Sequence, residues 1–268
     1  MKINFKLVSI LFLLSMMPIY SSAQTSGVKV GETELHFFRA SGENAKGKTV
    51  LILPGGGYEY HAMDHEGFDW VPFFNSQGVN VAVLKYKLPK GNSEIPINDV
   101  RESIESLKKN AKDLNVNPYD IGIMGFSAGG HLASTYATHS NGEDKPAFQI
   151  LFYPVISMTT EKTHKGSRDN LLGSDQSDER IKLFSNEFQV NENTPPAIIF
   201  HSADDGGVVP SNSIDYYTSL NEAGIPVSLH IYPVGGHGWG FRENFPYHDA
   251  ILNELSVWLA NLDSDPGI

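Results

Sequence analysis

No cysteine occurs in the 268 residues, so no disulfide can staple the fold and the cysteine-borne lipid of an exported lipoprotein is excluded. Stability must come from an ordinary core. Basic residues are also scarce: 20 Lys and Arg stand against 31 Asp and Glu, for a formal net charge of -11. That balance argues against nucleic acid as a partner. It neither selects nor excludes a neutral sugar or lipid ester. Beyond the first two dozen residues no apolar run approaches the roughly 18 residues of a membrane span. Internal repeats, low-complexity tracts and a convincing interdomain linker are absent as well.

The first 23 residues read as a secretory signal peptide, with Lys2 and Lys6, an apolar run over 7–17, and Ser21-Ser22-Ala23 before Gln24. An exported protein is expected, periplasmic or extracellular, with a mature chain of 24–268. Losing Lys2 and Lys6 from the 20 basic residues leaves 18 against the 31 acids. About 245 residues suit one large α/β domain.

Along that chain short β-rich runs alternate with helical patterns, the signature of a mostly parallel sheet with helices on both faces. Residues 49–53 and 79–84 are apolar runs of strand length bounded by glycine or proline, and both suit the middle of the sheet. Val100, Ile104, Leu107, Ala111 and Leu114 recur at steps of three and four, predicting one amphipathic helix over 97–114. Strands are expected at 120–126, 148–155, 197–201 and 227–232, and helices at 131–137, 211–223 and 247–262. Residues 157–193 interrupt this rhythm with polar and charged sequence. They form either a surface excursion over the sheet edge or a small cap that shapes a pocket.

Gly125-Phe126-Ser127-Ala128-Gly129 has the G-x-S-x-G spacing where a strand must turn sharply into a helix. A serine there projects above the sheet, and glycines two residues to either side avoid collision with neighbouring backbone. A serine hydroxyl needs a neutral imidazole to take its proton. His237, within Gly235-Gly236-His237-Gly238-Trp239-Gly240 after the strand at 227–232, is the candidate base. His131 follows the serine too closely on its helix to swing back, and is expected to be packed. The group that orients the base should be a carboxylate at a strand end, and Asp204 and Asp205 both qualify. Acyl transfer also needs donors for a developing oxyanion. Pro54-Gly55-Gly56-Gly57-Tyr58 offers the N–H of Gly56 or Gly57, and Ala128 offers a second. As a phosphate loop the glycine triplet fails, because no G-K-S/T follows it.

These residues resemble a known family, the α/β-hydrolase esterases of the acetylxylan esterase and acetyl-esterase type, close in style to prolyl-oligopeptidase-like hydrolases. The resemblance is carried by residues 53–58, by 125–133, by His201-Ser202-Ala203-Asp204-Asp205 with Val209-Pro210, and by Gly236-His237-Gly238. The stretch with His164, Gly166, Ser167, Asn170, Leu171, Leu172 and Gly173 is similar to the same group. The resemblance selects Asp205, because the family pattern places the acid four residues after the histidine that closes its strand. It implies hydrolysis of short acyl esters, above all acetyl, on plant polysaccharide fragments such as xylan, through an acyl-enzyme. It implies no metal and no organic cofactor. The chain departs from many relatives at Pro54, where they carry histidine, and at Gly206-Gly207 before Val208.

Tyr58 and Trp239, beside the oxyanion loop and the base, could wall the pocket or stack on a sugar ring, with simple packing as the equal alternative. A feruloyl esterase or a small peptidase on the same fold is the runner-up, although no room exists for an amino-terminal propeller. A non-catalytic carbohydrate-binding relative is a further reading, set against the presence of every triad member. His61, Asp64 and His65 lie close together, but their spacing matches no standard zinc motif.

Overall fold

The computed structural model describes residues 26–30 and 33–262. The expected signal peptide lies outside the described residues. Strands β1 (Ser26–Val30), β2 (Thr33–Phe38), β3 (Thr49–Leu53), β4 (Asn80–Lys85), β5 (Ile121–Phe126), β6 (Gln149–Phe152), β7 (Ala197–Ser202) and β8 (Val227–Tyr232) form one sheet. Its order is β1-β2-β4-β3-β5-β6-β7-β8. The first two pairings, β1 with β2 and β2 with β4, are antiparallel, and every later one is parallel. The two strands expected at mid-sheet, β3 and β4, are neighbours there.

The helices are α1 (Val71–Ser76), α2 (Glu94–Lys109), α3 (Ala111–Leu114), α4 (Ser127–His139), α5 (Lys165–Leu172), α6 (Asp178–Leu183), α7 (Ser211–Glu222) and α8 (His248–Leu262). Successive strand side chains point to opposite faces, so the sheet has two apolar surfaces to cover. On β3, Leu51 and Leu53 pack with Val100, Ile104 and Leu107 of α2, Leu132 of α4 and Leu220 of α7. Val50 and Ile52 pack on the other side with Phe73 and Phe74 of α1 and with Ile251, Leu255 and Leu259 of α8. Each such side chain, fully buried, contributes about 1.5–3 kcal/mol.

Two sequence expectations shift, and one that was left open between a surface excursion and a small cap is decided for the cap. The single helix over 97–114 is interrupted at Asn110, whose Nδ2 donates to the Ser106 carbonyl at 2.8 Å and thereby competes with the helix backbone. The strand expected over 148–155 ends at Phe152, because Tyr153 turns to φ 35° and Pro154 follows. Residues 157–193 are no loose excursion. Met158, Leu171, Leu172, Ser185 and Asn186 are buried within them, and α5 is tied by Asn170 to the turn after β3.

Candidate active site

The β5–α4 turn is forced by sterics. A Cβ at Gly125 would lie 2.3 Å from the Gly129 carbonyl oxygen, and one at Gly129 would lie 2.1 Å from that of Leu53, so neither position admits a side chain. Between them Ser127 adopts φ 50°, a left-handed conformation that non-glycine residues enter only under constraint. Its side chain emerges at the carboxyl edge of the sheet, where the ends of β3, β6, β7 and β8 also converge.

His237 reaches this point from the loop after β8. Its Nε2 lies 2.9 Å from Ser127 Oγ, and its Nδ1 lies 2.7 Å from Asp205 Oδ2. A carboxylate only accepts, so Nδ1 carries the proton and Nε2 is left free to take one from serine. Asp205 is anchored by the N–H groups of Gly207 and Val208, both 2.8 Å from Oδ1. Burial alone would raise its pKa. Hydrogen bonds from His201, His237 and the Val208 backbone reverse that and hold the carboxyl well below the usual carboxylate range. Asp204 is exposed and instead accepts the Gly236 N–H at 2.8 Å, which shapes the base loop without touching the imidazole.

The turn after β3 faces the serine. Gly56 and Gly57 take φ 130° and 65°, and among the described residues neither donates its N–H to a protein acceptor. The Gly55 N–H is committed to Glu66. Ala128, in the first turn of α4, has no helical acceptor four residues back. Gly56 and Gly57 border an open pocket of about 600 Å³ that is also lined by Tyr60, Ser127, His164 and His237, and Ala128 follows the serine directly in the chain. The arrangement can deprotonate a hydroxyl nucleophile and offer hydrogen bonds to an oxyanion at one place.

Tyr58 and Trp239 do not line that pocket. Tyr58 is 2 % exposed with its hydroxyl 2.9 Å from His131 Nδ1, and Trp239 is stacked on Phe245 while its indole N–H donates to Ser202 Oγ at 3.0 Å. Both rings are drawn inward because the core rewards their area and each finds a partner for its polar tip. The exposed aromatic in the pocket is Tyr60, two residues on. His131 is packed as expected. Its Nε2–H donates to the Phe184 carbonyl at 2.7 Å and its Nδ1 accepts the Tyr58 hydroxyl.

His61 and His65 border the pocket with Asp64, but His61 packs edge to face on Tyr86 and His65 leans toward Arg242 and Glu66. Among the described residues no group of three His, Asp or Glu is arranged to hold a metal ion.

Three pocket residues, His164, Asn170 and Glu66, and the buried Tyr153 behind them carried no individual role in the sequence reading. His164 caps α5, its Nδ1 accepting the Ser167 N–H at 3.2 Å, so its proton sits on Nε2 beside the pocket. Burial lowers its pKa and favours that neutral form. Asn170 donates to the Gly57 carbonyl at 2.9 Å and clamps the glycine turn after β3 to α5. The family-like stretch around His164 was the sequence signal for both. Glu66 and Tyr153 had none, since their roles depend on contacts spanning 87 residues.

The BD-FAE family model matches residues 35–220. The chain belongs to the BD-FAE family. The match includes the glycine turn at 54–58, Ser127 and Asp205, and stops before His237. This BD-FAE member is 44 % identical over 225 residues to an acetylxylan esterase of Xylanibacter ruminicola, covering 82 % of this chain and 47 % of that protein. It is 35 % identical over 211 residues to an endo-1,4-beta-xylanase B of Butyrivibrio fibrisolvens, covering 73 % and 33 %. The chain therefore spans half or less of the length of these curated relatives. The solved structure of an acetyl ester-xyloside bifunctional hydrolase from Caldicellulosiruptor lactoaceticus matches it with a TM-score of 0.82 at 27 % identity, covering 92 % of this chain and 99 % of that one. The fold is that of the α/β-hydrolases.

Proposed function

We propose that this chain is a serine carboxylic ester hydrolase that removes short acyl groups, above all acetyl, from xylan-like polysaccharide fragments. The hydrogen-bonded series Asp205–His237–Ser127, set beneath the free N–H groups of Gly56 and Gly57, carries the reading. In this reading Ser127 Oγ attacks the acyl carbon as its proton passes to His237 Nε2. Asp205 keeps Nδ1–H in place and stabilises the imidazolium. Ala128 and Gly56 or Gly57 donate to the oxyanion. Collapse breaks the bond to the sugar oxygen, which takes the proton from His237 and leaves as the free hydroxyl, and water then resolves the acyl-enzyme by the same steps.

The acetyl and xylan elements are supported by the acetylxylan esterase relative and by the pocket itself. Tyr60, 63 % exposed, offers an aromatic face beside the nucleophile, while Glu59 and Asp64 offer acceptors for sugar hydroxyls. Export on residues 1–23 belongs to the same proposal, and the amino-terminal mass of the mature protein tests it.

The decisive experiment is a graded acyl series on a chromogenic alcohol, acetyl through octanoyl, with wild type and Ser127→Ala, followed by acetate release from acetylated xylan. Acetyl preference, acetate release and a loss of several orders of magnitude in Ser127→Ala are expected, on the order of 10⁶-fold where such a nucleophile is removed. Full activity in Ser127→Ala rejects the mechanism. Serine-dependent activity confined to longer or aromatic acyl groups rejects the substrate.

A further inference from the structure

Glu66 is 3 % exposed, borders the pocket, and has no part in the acyl transfer described above. A carboxylate withdrawn from water is costly unless donors surround it, and Glu66 has two. Oε2 accepts the Gly55 N–H at 2.9 Å and Oε1 accepts the Tyr153 O–H at 2.8 Å. The Tyr153 oxygen accepts in turn from the Gly240 N–H at 2.8 Å, and the Tyr153 ring stands edge to face against the His237 imidazole, 4.8 Å between centroids. Gly55 opens the oxyanion turn and Gly240 closes the base loop, so Glu66 is joined to the first directly and to the second through the Tyr153 hydroxyl.

The backbone around Glu66 repeats the connection. The Ala62 N–H donates to the Gly55 carbonyl at 3.0 Å, and the Phe241 N–H donates to the His65 carbonyl at 2.8 Å. There is no slack in the assembly: a Cβ at Gly55 would lie 2.6 Å from Glu66 Oε2, and one at Gly240 would lie 2.3 Å from the His65 oxygen.

We propose that Glu66 is a positioning residue that fixes the separation between the oxyanion donors at Gly56 and Gly57 and the imidazole of His237, so that both serve one tetrahedral adduct. This rests on the serine mechanism proposed above. A carboxylate is needed because both partners are donors. Glutamine would present an N–H to one of them, and the Gly55 backbone cannot reverse its role.

Wild type, Glu66→Gln, Tyr153→Phe and the double variant are titrated with a fluorophosphonate to count competent sites. Then kcat and KM per titrated site are measured on the acetyl ester of a chromogenic alcohol. Each single variant is expected to lower kcat about 10- to 100-fold, with KM within about threefold of wild type. The double variant should fall no more than about threefold below the worse single, because both changes cut the same connection. A merely structural role would reduce the titrated sites and leave kcat per site intact. Unchanged kcat per site in Glu66→Gln, or effects that multiply in the double variant, overturns the proposal. If Glu66→Gln does not fold, Tyr153→Phe takes its place: a lower kcat at constant KM supports the proposal and an unchanged kcat overturns it. A wild type that the fluorophosphonate does not label overturns the serine mechanism, and this inference with it, whereas a labelled wild type with an unaffected Glu66→Gln overturns the inference alone.

Discussion

His237 and His131 flank the same strand-to-helix turn, one from the loop after β8 and the other from the second turn of α4, yet their surroundings set them opposite tasks. In each, an acceptor behind the ring fixes the proton on one nitrogen and frees the other. Behind His237 that acceptor is the Asp205 carboxylate, and the freed Nε2 meets Ser127 Oγ. Behind His131 it is the Phe184 carbonyl, and the freed Nδ1 meets the Tyr58 hydroxyl. Burial without a counter-charge pushes His131 down to about 4, so it stays neutral and packs. Fixing the tautomer is therefore not enough to make a base. The imidazolium must also be stabilised, and only His237 has a carboxylate for that.

Among changes that bear on this pair of histidines, the largest expected effect comes from removing that carboxylate's charge. Asp205→Asn should lower kcat on an acetyl ester about 10³- to 10⁴-fold, by analogy with the effect in other serine triads. Steady-state kinetics at neutral pH checks it, and a loss under about tenfold would remove the distinction between the two histidines.

A second test reads His131 through stability. Its folded pKa of about 4 lies below its ordinary 6.5, so the folded state binds the proton less readily than the unfolded chain. Its contribution is complete above pH 6.5 and is lost as pH falls toward 4, by up to about 3 kcal/mol. Denaturant unfolding of wild type and His131→Asn across that window should show a shallower acid-side decline in the variant. Equal slopes would mean that His131 is not the group responsible.

The smallest effect is expected at Asp204. Asp204→Asn keeps an oxygen for the Gly236 N–H, and kcat should stay within about threefold of wild type. A ranking with Asp204→Asn below Asp205→Asn would transfer the orienting role to the neighbouring turn residue.

Where the proposed function requires a local backbone shape, the sequence displays it. Gly125 and Gly129 are legible because any Cβ there collides with backbone, and Gly56 and Gly57 because the turn after β3 needs positive φ. Unbroken apolar runs of strand length between glycine or proline located the central strands for an equally local reason, since a strand covered on both faces needs apolar side chains at successive positions. Other features depend on partners distant in the chain. Tyr58 and Trp239 looked suited to a pocket by proximity to the motifs, but their rings found buried partners at His131 and Ser202. Glu66 sits in a polar stretch, next to His65, that carries no motif, and only the close approach of Gly55 and Tyr153 shows that it is enclosed. The interruption at Asn110 likewise escaped a pattern defined by apolar spacing, because a side-chain amide produces it.

The oxyanion turn is gripped from two sides: Ala62 and Glu66 hold the two backbone groups of Gly55, and Asn170 of α5 holds the Gly57 carbonyl. Such a turn is preorganised, with its donors already oriented in the free enzyme and little reorganisation left for the reaction to supply. Binding energy from a distant sugar unit is then not required to assemble the catalytic geometry. A minimal acetyl ester should consequently reach much the same kcat as an acetylated oligosaccharide, and the longer substrate should gain chiefly in KM.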